Sequence, residues 1–438
     1  MGEAAREATK TVVVAGGGVA ENEPIVSTRE SRLSNGIRVV TETMTDVRSV
    51  ALGVWVGVGA RDEPDELSGA SHFLEHLLFK GTPTRTARQI AEAIEAVGGD
   101  MNAHTGREST AYYTRLPAKD LDLGLDVMGD VLTQPSFRPQ EVDSERRVIL
   151  EELLMHLDMP DSMVHTLMSE ALFPDHPLGR EVAGTKETVE VISRDQIAAF
   201  FEQWYRASNM SVVAAGNLDH DHLVDAFEGS LGGLEPGERP ERHAPTAASV
   251  SAPMVQGSDI EQAHVELGWR GIDHDDSDRY ALSVLNQVIG GGMSSRLFQQ
   301  VREERGLCYT VYSWASTSQD AGSAGIYAAT NPSRLRELLG VLDDEIAKLL
   351  AGGVTEAELT LAQGCLDGSM VLGLESSEAR MERLGWALSH RDEVVPIDEE
   401  LARIQAVTVD DCARVAERVF GGPRTLAVIG PVSESDLS

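Results

Sequence analysis

Cysteine is scarce in this chain. Three residues, Cys308, Cys365 and Cys412, stand among 438, too few and too scattered for a disulfide framework or a CxxC metal site, so a reducing compartment is expected. Long apolar runs are also missing, and no stretch approaches the ~18 uninterrupted apolar residues of a membrane-crossing helix. The N-terminal segment MGEAAREATKTVVVAGGGVAENEP offers only a Val-Val-Val-Ala patch where a secretory signal needs a longer one. Its glutamates argue against a mitochondrial transit peptide, and Arg6 falls where a myristoylation signal wants Ser or Thr. These absences predict a cytoplasmic protein with a loose tail over 1–27. Basic residues are few as well: 37 Lys and Arg against 71 Asp and Glu give a formal charge of −34. Such a chain repels nucleic-acid phosphates and anionic membranes, so neither is expected as a partner. A cavity lined with that charge would attract a basic peptide, although acidic residues spread over solvated faces explain the same excess.

What is present is ordinary globular material, 42% hydrophobic and 25% charged, long enough for two domains of roughly 200 residues each. Ser34-Asn35-Gly36 is a turn signal between Leu33 and Ile37, and Val50–Gly59 alternates large and small apolar residues as a covered strand does. Helical spacing follows over 69–79, 87–97, 121–133 and 140–157, with strands at 110–116 and 211–215. The stretch 232–255 is rich in Pro, Gly, Ala and Ser without an apolar period and reads as a linker. Beyond it the pattern is replayed: a strand at 264–269, helices at 277–289 and 295–304, a strand at 308–315, two more helices, and Thr425–Gly430 matching Ser211–Gly216. The expected architecture is α+β: two homologous domains, 28–231 and 256–438, each an antiparallel-rich sheet with packed helices.

His72-Phe73-Leu74-Glu75-His76 lies inside one of these helical patterns. At ~100° per residue, positions four apart return to nearly the same face, so His72 and His76 offer two imidazoles to one cation, with Glu75 beside them. That is the arrangement of two zinc ligands and a general base, in the order of the inverted zincin motif HxxEH. A catalytic zinc usually takes three protein ligands. The helix at 140–157 carries Glu145, Glu151 and Glu152; Glu145 and Glu152 share a face with Val148 and Ile149. Either could complete the site, the other standing behind a histidine, while the plainer alternative is a solvated acidic helix paired to Arg146 and Arg147.

HFLEHLLFKGT, GGDMNAHTGRESTAYY, ERRVILEELLMHLDMPD and GGGMSSRLFQQVREERGLCYTVYS together closely resemble the pitrilysin-type inverted zincins, in the branch of the processing peptidases and their bacterial homologues. The resemblance spans Leu33 to Val432. It implies one Zn2+ per chain held by His72, His76 and Glu152, with Glu145 as the supporting glutamate and Glu75 as the general base. It also implies that Asn102 and Ala103, with His104 beside them, form the edge strand that holds peptide extended. In the second half, Arg302 and Tyr309 match a pair that reaches the scissile carbonyl, and Gly290–Gly292 a short glycine-rich loop. Family members enclose substrate between two halves of about this length, so a homodimer is expected in which Arg302 and Tyr309 act on the partner's site. The second half repeats no HxxEH. The competing readings are a noncatalytic scaffold of the same fold and a peptide-binding module with a structural zinc.

Overall fold

The computed structural model of the chain describes residues 26–247 and 252–437. Most of the tail expected over 1–27, and 248–251 within the expected linker, lie outside the described residues. In chain order the strands are β1 (Ser27–Arg32), β2 (Arg38–Thr43), β3 (Ser49–Val56), β4 (Asp100–Thr105), β5 (Thr110–Pro117), β6 (Met210–Gly216), β7 (Met254–Gly257), β8 (Ala263–Arg270), β9 (Cys308–Thr317), β10 (Gly322–Thr330) and β11 (Arg424–Gly430). The helices of the first half are α1 (Ala70–Leu78), α2 (Ala87–Glu95), α3 (Leu121–Thr133), α4 (Pro139–Leu157), α5 (Pro160–Leu172), α6 (Lys186–Val191), α7 (Arg194–Trp204) and α8 (His220–Leu231). Those of the second are α9 (Arg279–Gly290), α10 (Leu335–Gly352), α11 (Glu356–Gly373), α12 (Ser377–Arg391), α13 (Ile397–Gln405) and α14 (Val409–Phe420). No helix of the described residues is long and apolar enough to cross a membrane.

The strands form two sheets, ordered β1-β2-β6-β3-β5-β4 and β7-β11-β8-β10-β9. β2 runs parallel to β6, and β7 runs parallel to β11. Every other pairing is antiparallel. Dropping β1, the sheets therefore correspond strand for strand in order and direction. The fold is α+β with two homologous domains.

The boundaries read from sequence, 28–231 and 256–438 around a linker at 232–255, are contiguous, whereas the compact units interleave. The first unit takes the chain through Glu151, then Glu181–Glu241 and Gly373–Val394; the second takes Glu152–Arg180, Arg242–Leu372 and Val395 onward. Two helices have been exchanged. α12, from the second half of the sequence, covers β3, β6 and β2, while α5, from the first half, covers β8 and β11. Each seats a methionine over a strand glycine: a Cβ on Gly53 would collide with the Sδ of Met381, and one on Gly268 with the Sδ of Met168. With no side chain there, the helix backbone can lie close to the sheet, and Met381, Leu384 and Leu388 pack on Val40, Ala51, Trp55 and Val213.

Each borrowed helix also meets a buried acid. On β2, Glu42 is 1% exposed and bonds Arg380 at 2.9 Å and Arg383 at 2.5 Å, both from α12. On β8, Glu266 is fully buried and bonds His165 of α5 at 2.9 Å, while the other ring nitrogen of His165 bonds the Tyr312 hydroxyl at 2.9 Å. Burial pushes the Glu266 carboxyl up, and His165 offsets this in part. Burial pulls His165 down, but its bond to Glu266 leaves the imidazole raised overall. Removing one partner of a buried pair strands the other. Glu42→Gln is expected to lower the unfolding free energy by about 3–5 kcal/mol, measured by urea unfolding followed through tryptophan fluorescence. A loss below about 1 kcal/mol would mean that the pair does not anchor α12.

Candidate metal and peptide site

α1 is fixed at both its start and its apolar face. The buried carboxylate of Glu63 accepts from the backbone N–H groups of Gly69 at 2.7 Å and Ser71 at 2.6 Å, placing negative charge at the helix N-terminus. Phe73, Leu74, Leu77 and Leu78 are buried, and their spacing leaves His72, Glu75 and His76 together on the remaining side. One donor atom from each of these three lies within 4.8 Å of the others, and the imidazole rings are 4.7 Å apart at 77°. Two nitrogens bound to one zinc at ~2.0–2.1 Å stand roughly 3.5 Å apart, so the two imidazoles can reach a single ion after small side-chain rotations, with the Glu75 carboxylate beside it.

The surroundings fix the orientation of the trio. His76 Nδ1 stands 3.2 Å from Glu145 Oε2, and since an ionised carboxylate only accepts, Nδ1–H donates there, which makes Nε2 the nitrogen suited to a metal. Glu145 is 4% exposed, and its second oxygen pairs with Lys80 Nζ at 2.9 Å. The Thr105 hydroxyl donates to Glu75 Oε2 at 2.6 Å, holding that carboxylate's rotamer while Oε1 stays available. Tyr112 and Tyr205 bond each other at 2.6 Å in the same unit; burial, with a smaller contribution from the Glu75 charge, raises both phenols, so they stay protonated. Sequence reasoning singled out Glu145 but missed Glu63, Lys80 and Thr105. Thr105 could have been found, because it is the next residue but one after Ala103 on the same strand and so shares its face.

Asn102, Ala103 and His104 lie on β4, the last strand of its sheet, which among the described residues pairs with β5 alone. Its outer edge therefore carries main-chain groups without a strand partner. Glu152, two turns beyond Glu145 on α4, is half-buried and belongs to the second unit, while Glu151 is exposed and belongs to the first. Arg302 and Tyr309 also belong to the second unit, where the structure brings them together: the Arg302 guanidinium lies 4.5 Å over the Tyr309 ring and 4.6 Å over that of Phe298. Arg302 sits in a π-helical turn, Phe298–Glu303, in place of the expected α-helix over 295–304. Such turns reposition side chains and recur at functional sites. Tyr309 is 77% exposed, so its hydroxyl faces solvent. Beside it, burial pushes the Cys308 thiol up to about 11, which leaves it unreactive at neutral pH.

Comparison with known proteins identifies the family. Residues 38–186 match the family described as insulinase (peptidase family M16), and 192–364 match the peptidase M16 inactive domain. An uncharacterized zinc protease of Streptomyces coelicolor is 44% identical over 94% of this chain and 92% of its own length. One from Bacillus subtilis is 36% identical over 91% and 97%. Among solved structures, a peptidase M16 inactive domain from Pseudomonas fluorescens superposes with a TM-score of 0.86 at 21% identity, covering 93% of this chain and 98% of that one. A protease from Helicobacter pylori gives 0.83 at 22%, covering 92% and 99%. At those identities the solved structures speak for the fold, and the sequence relatives for descent. The chain belongs to peptidase family M16, of the pitrilysin type.

Proposed function

We propose that the protein is a zinc-dependent endopeptidase that hydrolyses extended peptides or unstructured N-terminal segments. The observation that carries this reading is the close grouping of His72, Glu75 and His76, in a chain whose relatives in Streptomyces coelicolor and Bacillus subtilis are named zinc proteases. In this reading His72, His76 and Glu152 hold one zinc per chain, and Glu145 orients His76. Zinc there supplies Lewis acidity, activating water at neutral pH and polarising the scissile carbonyl. Glu75 accepts the proton of the attacking water at Oε1 and returns it to the leaving amine, its other oxygen held by Thr105. The free edge of β4 pairs with the peptide main chain along Asn102 and Ala103, which fixes register with little sequence preference. Arg302 and Tyr309 donate to the developing oxyanion. They do so in a homodimer, each chain's pair acting on the partner's site, and a net charge of −34 favours basic peptides.

The reading of the fold as a noncatalytic scaffold draws on the matched inactive-domain family, but such a scaffold has no need of the grouped trio. Purified protein is expected to take up about one zinc per chain and to cleave a quenched peptide, with activity lost on chelation. Glu75→Gln should keep the metal and lower kcat by at least ~100-fold, whereas Glu152→Gln should lose metal affinity. Full activity in the first variant, or unchanged zinc affinity in the second, would remove the assigned role. Mixing Glu75→Gln chains with Arg302→Ala chains should restore part of the activity through heterodimers. A mixture as inactive as its components would place Arg302 on its own chain's site.

A further inference from the structure

A peptide paired with the outer edge of β4 repeats that strand's alternation, its side chains pointing to opposite faces every ~3.3 Å. One face of β4 carries Ala103 and Thr105, and Thr105 bonds Glu75. The other carries Asn102 and His104, whose cross-strand neighbours Tyr113 and Ala111 pack in the cluster beneath α12. Successive peptide side chains would therefore face the metal trio and α12 in turn. The α12 side is not closed: a cleft of ≈ 570 Å³ opens there, lined by His104, residues 106–109 and α12. Its walls are aromatic. His104 meets the edge of Trp55 at 6.2 Å between centroids, and Trp386 stacks on His390 at 4.9 Å while remaining 38% exposed.

Most of the charges lining the cleft are partnered. Glu108 pairs with Arg61 at 2.5 Å and Arg383 with Glu42 at 2.5 Å, while burial pulls the half-buried Arg107 guanidinium down and the charge of Glu181 offsets this in part. Glu382 lines the same cleft, is exposed, and makes no hydrogen bond or ion pair among the described residues. It stands four residues before Trp386 on α12, hence on the same helix face. Its charge reaches the edge of the sheet. The Tyr113 phenol is raised by burial first and then by Glu382, Glu378 and Asp100, of which the last two are paired with Arg115.

We propose that this cleft is a specificity subsite and that Glu382 selects a lysine or arginine side chain at the peptide position facing α12. The proposal rests on the peptidase reading above. The aliphatic stem would lie along His104 and the exposed edge of Trp386, whose ring already meets His390 and the Arg391 guanidinium, and the cationic head would reach the Glu382 carboxylate, which has no ion-pair partner among the described residues. A neutral isostere gives up the charge-assisted bond, and an acidic side chain is repelled.

The test uses quenched peptides that differ only in lysine, norleucine or glutamate at one position, scanned across the cleaved bond. At one position the lysine peptide should exceed its norleucine counterpart in kcat/KM by about tenfold. Glu382→Gln should bring that ratio close to one, and Glu382→Lys should turn the preference toward glutamate. A wild type with no lysine preference at any position, or a ratio that both variants leave unchanged, overturns the subsite. The same fluorescein-labelled peptides are titrated by anisotropy against Glu75→Gln chains with and without Glu382→Gln. If zinc-loaded wild type cleaves no peptide, the peptidase reading falls, yet a lysine preference in Kd that Glu382→Gln removes sustains the cleft as a peptide subsite. Equal Kd for both peptides, or no binding, overturns the cleft too.

Discussion

Among the described residues β4 has one strand neighbour, and the proposed use of the first unit depends on that. An edge strand exposes main-chain groups that natural proteins usually cover or interrupt. Here the edge stays open, and the two faces of the strand serve different ends. Thr105 turns inward to hold Glu75, while His104 turns to the opposite side and the cleft under α12. Because the alternation of a strand is fixed at two residues, anything pairing with that edge inherits the division. A peptide side chain that reaches the aromatic cleft is then adjacent in sequence to a residue on the Glu75 side.

The supports of the trio show how little freedom the site has. α1 cannot slide, because Glu63 caps its first turn and four apolar side chains hold its face. His76 cannot easily flip, because Glu145 receives its Nδ1–H and Lys80 holds Glu145 from the other side. Glu75 cannot swing away without losing Thr105. Each of the three side chains in the helix motif, or the turn that bears it, is thus restrained by the backbone or by a side chain distant in sequence, as a preorganised site requires.

Much of this was legible beforehand, and the illegible parts have a common cause. The HxxEH spacing, the β3 strand, the Asn-Gly turn and the replay in the second half are local patterns, so periodicity and turn chemistry suffice to find them. The destination of a helix is not local. In α12 the buried positions Met381, Leu384 and Leu388 are interrupted by Arg380 and Arg383, which face the sheet only because Glu42 waits there. Nothing within 377–391 announces that partner, some 340 positions away along the chain. In the same way Lys80 and Glu145 become neighbours only when α1 and α4 are placed. Contiguous boundaries were the natural reading of a chain whose units in fact trade helices.

That trade is specified by charge as well as by shape. Related sheets from one ancestral unit offer similar apolar beds, each with a glycine notch for a methionine, so packing alone discriminates weakly between α5 and α12. The acids do discriminate. Glu42 lies on β2 and Glu266 on β8, which corresponds in sheet order to β3, so the two acids sit on different strands of their sheets, two strands apart in that order. α12 brings two arginines to the first location and α5 a histidine to the second. Interchanged, the helices would leave Glu42 without its guanidinium partners and Glu266 without its imidazole. A buried carboxylate lacking its partner costs several kcal/mol in round terms, comparable with about half the stability of a typical domain. The acids therefore add little net attraction in the native arrangement, and their larger effect is to make the wrong arrangement untenable.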